Sequence, residues 1–105
     1  SRLAGRLLAT YIDKEVRNQN IPWFTESVSR GHELGVIGDD ALAFTMEHAS
    51  TLNAAIDSSR DQNFEFFGLR TVYDRYLLRH PETREVIETP QYFFLRVACG
   101  LSQEL

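Results

Sequence analysis

The chain has 105 residues, 43% hydrophobic and 25% charged, with a net charge of −4. It is long enough to bury the core of one domain, and its acidic balance gives no bulk attraction for nucleic acid or an anionic membrane. No apolar run reaches the roughly 20 residues of a membrane span, and residues 3–12 are too short and too interrupted by arginine and glycine for a signal peptide.

Residues 2–18 read as an amphipathic helix. Leu3, Leu7, Leu8, Tyr11, Ile12 and Val16 recur at helical spacing, with Asp13, Lys14, Glu15 and Arg17 as the solvated face. Asn18-Gln19-Asn20 ends it, and Pro22 suits the first turn of a second helix through Trp23, Phe24, Val28 and Leu34. Gly35-Val36-Ile37-Gly38 breaks that helix. Asp39 or Asp40 is placed to cap a third, whose face would hold Leu42, Met46, Ala49, Leu52 and Ile56 as far as Asp57. Ser58-Ser59-Arg60-Asp61 is a polar break.

An aromatic-rich segment follows, with Phe64, Phe67, Leu69, Val72, Tyr73, Tyr76 and Leu77, helical in part, with Gly68 allowing a turn or close approach. The turn-like Arg79-His80-Pro81-Glu82-Thr83 between two apolar stretches predicts a short β-hairpin over about residues 76–88. Thr89 as N-cap and Pro90 at the first helical position start a final helix, with Phe93, Phe94, Val97, Ala98 and Leu101 as its buried face. The expected fold is mainly α: one compact multi-helix domain over 1–105, with no internal repeat.

Catalytic spacings do not occur. His32, His48 and His80 each lack a second histidine three or four residues away to share a metal. Gly35 and Gly38 lack the lysine of a phosphate loop. Cys99 sits among apolar residues and reads as packing, and as the single cysteine it excludes an internal disulfide and fits a reducing compartment, most simply cytosol. Glu82, Glu85 and Glu88, interleaved with Arg79 and Arg84, read as a solvated hairpin edge. The aromatics Phe64, Phe66, Phe67, Tyr73, Tyr76, Tyr92, Phe93 and Phe94 read as core rather than as base-stacking platforms. Arg60-Asp61 and Asp74-Arg75 lie among apolar neighbours, which predicts a part-buried arginine in an internal ion pair, with domain docking as the functional alternative.

Several strings in order carry a resemblance. They are Leu52-Asn53 with Ile56, Arg60-Asp61, Phe64, Phe67-Gly68, Thr71, Arg75-Tyr76-Leu77, Glu88-Thr89-Pro90-Gln91, Arg96-Val97-Ala98 and Gly100-Leu101. Over about half the chain this pattern resembles the N-terminal helical domain of the large (catalytic) subunit of class I ribonucleotide reductase. The opening Ser1-Arg2-Leu3-Ala4-Gly5-Arg6-Leu7-Leu8 is similar to the stretch that follows the nucleotide-binding cone of those subunits.

The resemblance implies a parent that reduces ribonucleoside diphosphates to deoxyribonucleotides for DNA synthesis through a cysteine thiyl radical. It implies a metal-containing, radical-generating small subunit, thioredoxin or glutaredoxin as reductant, and ATP and dATP as allosteric effectors. The family's reactive cysteines, ATP cone and catalytic barrel match no position here. No catalytic, cofactor-binding or metal residue is therefore carried over, and the chain alone is expected to be inactive. Both ends, Ser1 and Leu105, read as cuts. The role left to the segment is that of a helical platform packed against the barrel. An adenosylcobalamin-dependent reductase fragment and a free-standing helical interaction module are the alternatives.

Overall fold

A computed structural model of the protein describes residues 2–57 and 66–104. Within them the helices are α1 (Arg2–Arg17), α2 (Phe24–Glu33), α3 (Asp39–Glu47), α4 (Ala49–Ala55), α5 (Phe66–Arg75) and α6 (Pro90–Glu104). No strand occurs among the described residues, and the mainly α expectation holds. The Arg60-Asp61 pair, Phe64 and the polar break before it lie outside the described residues, as do the side chains of Phe66 and Phe67.

Helix α1 packs along α5, while α2 lies against α3, α4 and α6. Leu8, Ala9, Ile12 and Val16 of α1 join Ile21, Phe24, Val28, Leu69, Leu77, Val86, Ile87 and Tyr92 in the core. The expected apolar face of α1 is only half right. Leu3, Leu7 and Tyr11 point to solvent. At 3.6 residues per turn they lie across the helix axis from Ile12 and Val16, so α1 carries two apolar stripes and only one enters the core.

Helix α2 starts at Phe24, two residues after the Pro22 expected in its first turn, with Trp23 as an exposed N-cap. It ends at Glu33, and Gly35, just past the Leu34 C-cap, takes a left-handed φ of 79°. The following turn folds back tightly: the amides of Val36 and Ile37 donate to the Gly31 carbonyl at 2.9 and 3.2 Å. A Cβ on Gly31 would stand 2.6 Å from the tip of the Ile37 side chain, so any larger residue there would have to push Ile37 aside.

The third predicted helix is two. His48, at φ −110° and ψ 23°, separates α3 from α4, and its ring lies against Phe44 with centroids 4.6 Å apart. Leu42, Leu52 and Ile56 pack against the core as expected, but Met46 faces solvent. Gly38 is the N-cap of α3, so Asp39 and Asp40 occupy its first turn instead of capping it, where they still meet the positive helix end.

The predicted hairpin is reduced to one antiparallel bridge, Arg79 to Val86. Its backbone is satisfied mostly by side chains. Val86 N–H donates to Glu15 Oε2 at 2.8 Å, and the Val86 carbonyl accepts from Gln19 Nε2 at 2.7 Å. The Ile87 carbonyl accepts from Ser27 Oγ at 2.7 Å, and Leu78 N–H donates to Glu88 Oε1 at 2.8 Å. Groups that would have extended a ladder are thus held by α1, α2 and the segment's own glutamate.

Candidate functional site

Two of the strings that carry the resemblance meet in one ion pair. Glu88 precedes α6 and is 1% exposed. Arg96, two turns into α6, grips it with Nε to Oε2 and Nη2 to Oε1, each at 3.0 Å. With the Leu78 amide as a third donor, the carboxylate's buried oxygens are satisfied. The guanidinium also lies 5.4 Å from the Phe93 ring centroid. Glu88 therefore fastens the loop after α5 to the inner side of α6.

The neighbouring motif residues have similar duties. Thr89 Oγ1 accepts from Tyr92 N–H at 3.3 Å, which caps α6 as its sequence promised. Gln91 exchanges hydrogen bonds with both backbone groups of Asp57, tying α6 to the end of α4. Asn53 on α4 accepts from Thr25 N–H and donates to Thr25 Oγ1, both at 3.1 Å. Trp23 has no capping side chain, so Asn53 satisfies an orphan amide of α2 from another helix.

The outer side of α6 overturns an expectation. Among its described residues Pro90, Tyr92 and Cys99 are buried, whereas Phe94, Val97 and Leu101 expose 47%, 41% and 61%. Ala98 is exposed beside them, and Phe93 is partly buried. Tyr76, 56% exposed, extends the patch, with ring centroids 6.0 Å from Tyr76 to Phe93 and 5.1 Å from Phe93 to Phe94. Positions 94, 97, 98 and 101 form the stripe that a helix turns toward a neighbour. The sequence located the stripe correctly and its burial wrongly.

Other polar candidates resolve into local structure. His32 Nε2 lies 2.6 Å from Asp39 at the surface, and His80 Nδ1 accepts from the amides of Glu82 and Thr83 in the turn. Among the described residues no three His, Cys, Asp or Glu side chains gather as a metal would need. Burial pushes the Cys99 thiol above its ordinary range, which makes it a poor nucleophile. Tyr73 is also raised, first by burial and then by Glu15, against the opposing Arg79. Asp74 pairs with Arg70 at the surface at 3.0 Å, and Arg75 is exposed, so the internal pair expected of Asp74-Arg75 does not form. Glu88–Arg96 takes that role instead, and Glu88 leaves the solvated edge to which its spacing assigned it. The available signal was an arginine embedded among apolar residues two turns after a glutamate.

Fold and site together define an all-α domain whose buried polar groups hold its own packing and whose last helix keeps an apolar side outward. Residues 62–105, which include both halves of the Glu88–Arg96 pair, match the family model for the ribonucleotide reductase all-alpha domain. The chain is 36% identical over 110 residues to the ribonucleoside-diphosphate reductase large subunit of Trypanosoma brucei brucei, covering 97% of this chain and 13% of that protein. It is 35% identical over 78 residues to the large subunit from Plasmodium falciparum (isolate Dd2), covering 74% of this chain and 9% of that one. Against large chain 2 of the Saccharomyces cerevisiae enzyme it is 39% identical over 71 residues, covering 68% and 8%. The chain belongs to the ribonucleotide reductase large-subunit family, in the region of the all-α domain. It spans 13% or less of the length of these relatives. No solved structure matches it.

Proposed function

We propose that the chain is the all-α segment of a ribonucleoside-diphosphate reductase large subunit and that it serves as a packing platform for the rest of that subunit. The observation that carries the reading is the outward apolar stripe Phe94, Val97, Ala98 and Leu101, which lies inside the stretch matching the family. A neighbour that covered the stripe would recover about 25 cal/mol per Å² of the apolar surface now left in water. The parent would make deoxyribonucleotides for DNA synthesis in the cytoplasm. Its radical-generating small subunit, its thioredoxin or glutaredoxin reductant and its ATP and dATP effectors would act on parts of the subunit other than these residues.

The test is the coding sequence beyond Leu105, followed by assay. Continuation into a barrel with a cysteine within a few dozen residues, and a cysteine pair near the far C-terminus, supports the reading. Val97→Asp in that full-length subunit is then expected to weaken reductase activity through misassembly, with the 105 residues alone inactive. Turnover by the isolated chain would refute the proposal, and so would a Val97→Asp subunit with unaltered stability and activity.

A further inference from the structure

The outer side of α6 is not a uniform surface. Where it meets the end of α4 there is an open hollow of about 300 Å³, lined by Ala55, Ile56, Gln91, Phe94, Leu95 and Ala98. Among the described residues that line it no side chain is charged, and Gln91 brings the only polar one, with both ends of its amide already engaged with the Asp57 backbone. An occupant would therefore find no ion partner and little unmet hydrogen-bonding capacity. A polar ligand would give up its hydration here without replacement.

Size narrows the occupant further. Small-molecule sites run from roughly 300 to 1,000 Å³ and enclose most of their ligand, whereas this hollow sits at the lower limit and is open on one side. It suits a large apolar side chain carried on another element. The rim points to the kind of element: positions 94, 97, 98 and 101 repeat at i, i+3, i+4 and i+7, the ridge pattern against which a second helix packs.

Resting on the platform reading above, we infer that this hollow is the anchor hole of the interface. An amphipathic helix from the remainder of the large subunit lies along α6 and places one large apolar side chain between Ala55, Ile56, Phe94 and Ala98. The length outside this chain supplies such a helix readily, since the Trypanosoma relative matches here over only 13% of its length. The uncharged lining among the described residues selects an apolar contact over an acidic or basic one.

The experiment uses the full-length large subunit with Ala98→Cys, Leu101→Cys or Glu82→Cys, and follows maleimide labelling of each new thiol by mass spectrometry. Glu82 lies in the exposed turn and sets the rate for an open site. Ala98→Cys and Leu101→Cys are both expected to label at least about 100-fold more slowly, as for groups reached only through local opening. A benzophenone side chain in place of Val97 should then crosslink to an apolar helical peptide outside residues 1–105. If Leu101→Cys is protected while Ala98→Cys labels as fast as Glu82→Cys, the platform stands and the anchor hole falls. If both label at the open rate, both readings fall. Crosslinks confined to residues 1–105, or made to a second copy of the subunit, also overturn the inference.

Discussion

The two sides of α6 are built from similar residues and treated in opposite ways. Inward, Tyr92 packs edge-on to Phe24 with centroids 5.8 Å apart and donates its hydroxyl to the Pro22 carbonyl at 3.2 Å. Beside it, Arg96 holds the buried Glu88. Outward, Phe94, Val97 and Leu101 have comparable apolar bulk and remain 47%, 41% and 61% exposed. The difference is polar. The inner side is selected by groups that need specific partners: a carboxylate, a guanidinium, a tyrosine hydroxyl and the Thr89 cap. Hydrophobic attraction has no direction and would accept either side. Once Glu88 and Arg96 are joined, the rotation of α6 about its axis is set, and the second apolar stripe is left for something else to cover.

The sharpest way to break the inner arrangement is Arg96→Met, which strands a buried carboxylate. It should destabilise the fold by about 3–5 kcal/mol in urea unfolding, while Glu88→Gln combined with Arg96→Met should lose far less because no unpaired charge remains. An equal loss in both would mean that packing of the arginine stem, not charge pairing, orients the helix. The same contrast exists on α1, where Ile12 is fully buried and Leu7 faces solvent. Ile12→Ala should lower stability by about 2–5 kcal/mol, and Leu7→Ala by less than about 0.5 kcal/mol, in parallel denaturation curves.

Ser27→Ala is the next step down. It leaves the Ile87 carbonyl without its buried donor and should take away about 1–3 kcal/mol. The smallest effect is one of pH. A thiol raised by burial holds its proton more tightly in the folded chain than in the unfolded one. Its stabilising share is whole below the unfolded value of 9.0 and is lost as pH rises through the higher folded value. Stability measured against pH should therefore decline above about pH 9, and Cys99→Ala should flatten the first part of that decline. Tyr73, raised from 10.0, contributes further into alkali and would remain in that variant.

Much of this was legible in the residues. The spacing in α1, the glycine break after α2 and the Thr89-Pro90 start of α6 each rest on local chemistry that a sequence displays directly. The break at His48 left no trace, because no Gly or Pro marks it and the apolar period continues through it. The choice between the two stripes of α1, or between the two sides of α6, was also hidden. Both stripes fit the helical period, and the decision lies in partners far along the chain. Glu15 reaches Val86, Ser27 reaches Ile87, and Asn53 caps α2 from another helix. Glu88 looked like one more acid on an exposed turn because nothing in its own neighbourhood announces that Arg96 will fold back onto it. The family resemblance picked out the strings containing both residues, and the structure supplies the reason those strings belong together.

The most direct test of the account is Phe94→Ala, measured once in the 105-residue chain and once in the full-length large subunit. Phe94 is 47% exposed here and already packs on Phe93, so the first value should be about 1–2 kcal/mol, while the second should reach about 3–5 kcal/mol once the side chain is covered. Equal small losses in both settings would mean that the outer side of α6 is ordinary surface and that the platform reading is wrong.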